Sequence, residues 1–206
     1  MSPKHDVYDK KGVYAFSSYN SLEFPEVEDI KYLILEKHAQ LKDVMCTVML
    51  GINGLLINQK TKRILDKFNL PPHKYYTAYV KNYQGNVYQY FWLQTNRDRD
   101  KSKFINYPKT QFYINKDIMG ITKEQIDVDS IDDIEKYRKQ IDPMLGQAIN
   151  ISKAVLNKEF SKLDIDLLKI NRLSIDWIVS KRLKNAFEKA QISGIAFKDA
   201  ENIKVL

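Results

Sequence analysis

The stretch "DWIVSKRLKNAFEKAQISGIAFKD" occupies residues 176–199 and predicts a strand, a helix and a second strand that starts after a turn at Gly194. Ser180 precedes the helical pattern, where its hydroxyl can accept a hydrogen bond from a free backbone N–H of the first turn. One face of the helix is apolar, because its large side chains recur at helical spacing: Leu183, Ala186, Phe187 and Ala190. The stretch therefore predicts a strand–cap–helix–strand motif.

The same motif is predicted a second time, 122 residues earlier, in "GLLINQKTKRILDKFNLPPHKYYT" at residues 54–77. Asn58 aligns with Ser180 as an N-cap, and Pro72 aligns with Gly194 at the turn. The apolar positions of this helix are Thr61, Ile64, Leu65 and Phe68. An ancient duplication and convergence on a common motif both account for the pair. Capping or burial explains every matched position, so the pair predicts packing and not chemistry.

Between the two motifs, "YYTAYVKNYQGNVYQYFWLQ" at residues 75–94 predicts a β-hairpin. Two aromatic-rich runs flank Gln84-Gly85-Asn86, a short turn that contains glycine. Neither face of the second run is clearly polar, which favours a central strand.

The remaining chain predicts a mixture of short strands and helices. Residues 110–114 form a candidate strand, and Ser130 is a candidate N-cap for a helix that Pro143 ends or kinks. Two short strands are expected around Asn171-Arg172. A further amphipathic helix is expected to run to about Phe160, from the spacing of Met144, Leu145, Ala148, Ile149, Val155 and Leu156.

Together these elements predict an α/β (α+β) fold with a mixed, largely antiparallel sheet, helices packed on it and two similar strand–cap–helix–strand units. The 206 residues are enough for a full core in one domain, 1–206, with two similar halves, 1–114 and 115–206, as the alternative.

The composition argues against several classes of site. One cysteine, Cys46, excludes an internal disulfide and a zinc site with several cysteines, and the three histidines have no metal-binding spacing. No phosphate-binding glycine loop, nucleophile elbow or zinc-protease motif is present. We therefore expect no catalytic residue, metal or cofactor, and a protein that is not an enzyme. The polar N-terminus and the lack of a membrane-length apolar run predict a cytoplasmic protein without a membrane partner.

Two charge-dense segments fit a core poorly and are predicted to bind a partner. The basic segment contains Arg97, Arg99, Lys101, Lys103 and Lys109. The acidic segment contains Glu124, Asp127, Asp129, Asp132 and Asp133. A solvated surface or a partner-facing patch explains such charge runs better than a cation site, because the glycine and final glutamate of a calcium loop are missing.

A nucleic-acid-binding module is the alternative function, because aromatic side chains in the hairpin lie near basic residues in sequence. The net charge of +7 is compatible with it. However, the lysines are spread along the chain and outnumber the arginines, and a buried core also explains the aromatic side chains. Nucleic acid is therefore disfavoured as a partner.

The overall pattern resembles a family of bacterial immunity proteins from polymorphic toxin systems, the family defined on a myxobacterial immunity domain and formerly a domain of unknown function. Three segments carry the resemblance: "DWIVSKRLKNAFEKAQISGIAF", "NGLLINQKTKRILDKFN" and the tyrosine-rich hairpin at 75–94. The resemblance spans about residues 44–200, with an unmatched charged stretch near 96–140. It implies a cytoplasmic protein that binds and neutralises a cognate toxin, and it supplies no catalytic residue.

Overall fold

The structure, a computed structural model, describes residues 24, 26, 29–45, 54–95, 103–169 and 177–206. Along this part of the chain the strands and helices are β1 (Ile30–Ile34), β2 (Val44–Met45), β3 (Gly54–Ile57), α1 (Gln59–Leu65), β4 (His73–Lys81), β5 (Val87–Thr95), β6 (Gln111–Asn115), β7 (Lys123–Ile126), α2 (Ile131–Arg138), β8 (Ala148–Leu156), α3 (Lys158–Ser161), β9 (Leu167–Leu168), β10 (Ile178–Val179), α4 (Lys181–Lys189) and β11 (Ile203–Val205). Short 3₁₀ helices occur at Tyr107–Lys109 and Pro143–Leu145. Cys46 and the N-terminal segment 1–23 lie outside the described residues.

The chain divides into two compact units, each formed from separate stretches of sequence. Unit 1 contains residues 1–97, 165–168 and 178–197, and unit 2 contains residues 98–164, 169–177 and 198–206. The single domain and the two halves inferred from the sequence stay predictions.

Unit 1 contains a five-stranded sheet with the strand order β1-β4-β5-β3-β2. Strands β4 and β5 form the predicted antiparallel hairpin, in register from His73 opposite Thr95 to Lys81 opposite Val87. Strand β5 is the middle strand, which confirms its predicted central position. β1 is parallel to β4, whereas β3 is antiparallel to both β5 and β2.

The aromatic side chains of the hairpin form a large part of the core of unit 1. Tyr76, Tyr90 and Trp92 are buried, and the indole N–H of Trp92 donates to Oε1 of Gln94 at 2.7 Å. Gly54 on β3 permits this packing, because a Cβ there would lie 2.3 Å from Cζ2 of Trp92. The aromatic density of the sequence therefore reflects a core in this part of the hairpin.

In unit 1, each of the two predicted motifs contains its own strand, N-cap and helix. Oδ1 of Asn58 accepts from the backbone N–H of Thr61 at 3.0 Å, and Oγ of Ser180 accepts from Leu183 N–H at 3.1 Å. Each helix buries two of the predicted positions: Thr61 and Leu65 on α1, and Leu183 and Phe187 on α4. Strand β4 follows α1, but residues 192–200 after α4 contain no strand, so the final strand expected after Gly194 is wrong.

Unit 2 contains a four-stranded sheet with the order β11-β8-β6-β7. β6 is antiparallel to β7 and β8, and β11 is parallel to β8. Helix α2 begins after Ser130 as predicted, with a capping box in which Ser130 and Asp133 exchange hydrogen bonds. Across the described residues the fold is mixed α+β with mostly antiparallel strands, as the sequence predicts.

The amphipathic helix expected from Met144 to Phe160 is wrong, because most of this segment is strand β8. Ala154, Val155 and Leu156 are buried, and β8 pairs with β6 on one side and β11 on the other. Strand pairing within unit 2 decides the conformation of a segment whose apolar spacing also suits a helix.

None of the helices in the described ranges has the length and apolar character required to cross a lipid bilayer.

Candidate protein-binding surface

The predicted basic segment is only partly described. Arg97, Arg99 and Lys101 lie outside the described residues. Lys103 and Lys109 are exposed in unit 2, and Nζ of Lys103 lies 5.5 Å from the ring centroid of Phe104. The structure therefore places two of the five predicted basic residues at the surface.

The predicted acidic residues are all described in unit 2, and they have different surroundings. Asp127, Asp129 and Asp132 are exposed. Glu124 forms an ion pair with Lys116. Asp133 is part of the α2 capping box, and the hydrogen bonds from Lys136 and Ser130 lower the pKa of its carboxyl to about 2. Asp133 is thus a helix cap, whereas the exposed carboxylates are available to a partner.

The turn between β6 and β7 exposes three large apolar side chains. Ile118, Met119 and Ile121 each have more than three quarters of their surface exposed. Asp117 fixes the turn, because its carboxylate accepts the backbone N–H groups of Ile121 at 3.2 Å and Thr122 at 2.7 Å. These bonds also lower the pKa of the Asp117 carboxyl. The side chains are exposed on an ordered turn.

A second exposed apolar pair lies on the 3₁₀ helix Pro143–Leu145. Met144 is 90% exposed and Leu145 is 56% exposed. Asp142 caps this helix by accepting the N–H of Met144 at 2.9 Å, and Gln147 accepts the N–H of Asp142 at 2.9 Å. Here too, side-chain hydrogen bonds fix a short loop that presents apolar groups to solvent.

Gly146 brings these two loops together. Its backbone has a φ of +74°, and a Cβ at this position would lie 2.4 Å from Cα of Ile118. We therefore treat Ile118, Met119, Ile121, Met144 and Leu145 as one apolar patch. Contiguous exposed apolar side chains with polar neighbours typically mark an interaction site.

The sequence segment that contains the apolar patch differs in charge from the whole chain. From Lys116 to Gln147 there are eight acidic and five basic side chains, whereas the net charge of the protein is +7.

Sequence reasoning missed the apolar patch. The apolar spacing predicts that Met144 and Leu145 belong to an amphipathic helix, and it makes no prediction for the turn at Ile118–Ile121. The available signal was "DIMGIT", residues 117–122, in which three large apolar residues surround a glycine between two strands. Solvated turns are usually polar, so such a turn is unusual.

Two Asp–Ser pairs in unit 1 resemble parts of a catalytic arrangement, but their hydrogen bonds show a structural role. Oγ of Ser180 donates to Oδ1 of Asp166 at 2.5 Å while it accepts the N–H of Leu183 as the α4 cap. Ser193 donates to Oδ2 of Asp43 through its backbone N–H at 2.7 Å and its hydroxyl at 2.8 Å. Both serines hold backbone in place.

Burial opposes ionisation of both aspartates, but their hydrogen bonds outweigh it. The Ser193 backbone and hydroxyl, together with Asn58, lower the pKa of the Asp43 carboxyl. Arg182, Ser180 and the Asn69 N–H lower the pKa of the Asp166 carboxyl. Each carboxylate is therefore held as an anion and is a poor candidate for a general base at neutral pH.

Among the described residues, no group of three or more His, Cys, Asp or Glu side chains is placed to hold a metal ion. A cleft of about 260 Å³ beside α4 is lined by apolar side chains that include Phe187, Ile192 and Phe197. Its volume is below the usual range for small-molecule sites, about 300–1,000 Å³. The apolar patch is the stronger candidate site.

In comparisons with known proteins, the sequence matches no protein-family model and no curated protein.

Proposed function

We propose that the protein is a toxin-neutralising immunity protein, which acts by binding a cognate bacterial toxin. The apolar patch carries this proposal, because five large apolar side chains lie exposed on two ordered loops of unit 2. Ordered loops lose little conformational entropy when they bind, so the apolar side chains can contribute most of their burial energy to the complex. The sequence resemblance to immunity proteins supports a bacterial toxin as the partner.

The exposed acidic side chains of unit 2 support a partner with a basic surface. Asp127, Asp129 and Asp132 are exposed, in a segment that is acidic while the whole protein is basic. A complementary toxin surface would have an apolar pocket bordered by Lys and Arg. Such charge complementarity accelerates association with the toxin and disfavours proteins whose surfaces are acidic.

The test is a binding titration with the protein encoded next to this one in its genome, together with rescue of the growth defect which that protein causes. Met144→Asp should weaken binding at least tenfold, since a fully buried Met is worth about 1.5–3 kcal/mol and about 1.4 kcal/mol corresponds to a factor of ten. Met144 is 90% exposed, so the variant should fold normally.

The matched control is Tyr83→Ser, which removes a side chain that is 65% exposed at the hairpin end of unit 1. This variant should bind the toxin like the unchanged protein. Equal losses in Met144→Asp and Tyr83→Ser would exclude the apolar patch, and no complex with the neighbouring gene product would contradict the immunity proposal in its simplest form.

Nucleic-acid binding by the hairpin is the second candidate, supported by one observation. Tyr83 is exposed, and Nζ of Lys37 lies 5.3 Å from its ring centroid. Buried Tyr76, Tyr90 and Trp92 are not accessible for base stacking, so these three side chains cannot contribute to such a site. The test is oligonucleotide binding at increasing salt, which should fall steeply if phosphates are contacted.

A further inference from the structure

We propose that Met119 and Met144 are oxidation-sensitive residues whose conversion to methionine sulfoxide prevents binding of the partner. This inference rests on the proposed function, because it assigns a regulatory role to the same apolar patch. It applies to any toxin that covers the two side chains.

The first observation is the difference in exposure among the described methionines. Met119 is 78% exposed and Met144 is 90% exposed, whereas Met45 is 7% exposed in the core of unit 1. A thioether is oxidised when the oxidant reaches its sulfur, so exposure controls the rate. Met119 and Met144 should react first, and Met45 serves as an internal reference.

The second observation is that the two exposed methionines lie on loops that contact each other. Ile118, next to Met119, is in contact with Gly146, two residues after Met144. Two oxidation events therefore alter a single apolar patch. They do not affect two unrelated sites.

The chemistry requires one two-electron oxidant, hydrogen peroxide. A sulfur lone pair attacks one peroxide oxygen, the O–O bond breaks, and that oxygen remains on sulfur as the sulfoxide. The sulfide is oxidised by two electrons, and the other oxygen leaves as water after a proton transfer. The product is polar, so each modified side chain carries into the interface an oxygen that needs a hydrogen-bond partner.

The oxidation occurs in the free protein. A bound partner covers Met119 and Met144 and protects them, whereas the reactivity of Met45 is unaffected by binding. Protection from oxidation therefore maps the interface without a substitution.

The experiment treats the full-length protein with hydrogen peroxide and measures sulfoxide at Met45, Met119 and Met144 by peptide mass spectrometry. The same samples are titrated with the protein encoded by the adjacent gene. We expect rapid oxidation of Met119 and Met144, slow oxidation of Met45, and at least a tenfold loss of affinity. The matched variant Met119→Leu/Met144→Leu retains apolar side chains of similar volume and should bind normally before and after treatment.

The outcomes separate the two proposals. If the untreated protein does not bind the adjacent gene product, the proposed function fails, and the redox inference fails with it. If the untreated protein binds but oxidation of Met119 and Met144 leaves the affinity unchanged, only the redox inference is overturned. The redox inference is also overturned if peroxide treatment lowers the affinity of the double Leu variant as much as that of the unchanged protein.

Discussion

Asp43 and Asp166 have equivalent hydrogen-bonding roles beside the two strand–cap–helix motifs, and each carboxylate joins the N-cap of one helix to the loop after the other helix. Asp43 accepts from the side chain of Asn58 at 2.7 Å and from Ser193, which follows α4. Asp166 accepts from Ser180 at 2.5 Å and from the backbone N–H of Asn69, which follows α1, at 2.9 Å. The two motifs of unit 1 therefore hold one another reciprocally.

The backbone repeats this relationship. The N-cap N–H groups of Asn58 and Ser180 donate to the carbonyls of Asp43 and Asp166, both at 2.9 Å. Arg182 also donates through Nε to Oδ1 of Asp166. The two motifs that the sequence predicts to be similar are therefore also in contact, and the two aspartates that join them precede the strands β2 and β9.

Replacing either aspartate should destabilise unit 1. We expect Asp166→Ala to lower the free energy of unfolding by about 3 kcal/mol and Asp43→Ala by about 2 kcal/mol, because several donors lose a charged acceptor. Urea unfolding measures both. The control is Asp199→Ala, at an exposed carboxylate, which should change stability by less than about 0.5 kcal/mol. A change this small for Asp166→Ala would contradict the conclusion that its carboxylate holds the two motifs together.

Stability should also fall in acid. The carboxyls of Asp43 and Asp166 have lowered pKa values in the folded protein, so their contribution is fully present above the unfolded pKa of about 3.9. It is lost as the pH falls from that value through the lower folded pKa. Unfolding free energies measured from about pH 6 downward should decline more steeply for the unchanged protein than for Asp43→Asn/Asp166→Asn. Parallel curves would assign the acid sensitivity to other groups.

Gly146 should be required to hold the two loops of the apolar patch together. Gly146→Ala combines a left-handed backbone with a clash against Ile118, and we expect a loss of about 2 kcal/mol or more in stability together with weaker partner binding. Gly120→Ala is the matched control, because its φ is +65° but the nearest atom to a Cβ is 3.5 Å away. It should cost about 1 kcal/mol. Identical effects of the two variants would argue against the contact with Ile118.

The exposed acidic side chains should control the rate of association. We expect Asp127→Lys/Asp129→Lys/Asp132→Lys to slow association with a basic partner by about tenfold at low salt, with a smaller change in the dissociation rate. Asp133 is left unchanged because it caps α2. Stopped-flow binding at several salt concentrations measures the effect, with Glu201→Lys as the exposed control. Unchanged association would remove these residues from the interface.

The features predicted correctly from the sequence depend on neighbours along the chain. Asn58, Ser130 and Ser180 are N-caps because a side-chain acceptor reaches backbone N–H groups a few residues later. The hairpin turn at Gly85 has a φ of +91°, which glycine adopts without strain. These interactions join residues within one helical turn or one hairpin, so the spacing of residues along the chain is enough to identify them.

Other features depend on residues that are far apart in sequence. Ser193 and Asp43 are separated by 150 positions, and their hydrogen bond exists only because the two motifs pack together. The segment Ala148–Leu156 is a strand because β6 and β11 supply its hydrogen-bond partners. Its apolar spacing does not reveal those partners.

By itself, the sequence determined the helix caps and the hairpin, because each is specified by residues that are close to their hydrogen-bond partners along the chain. The tertiary structure alone decided which apolar residues are buried. Trp92 lies in a core, whereas Met144, which is also a large apolar residue, lies at the surface. Burial depends on what the rest of the chain places against a side chain, and that is the physical reason why the candidate binding surface emerged only from the fold.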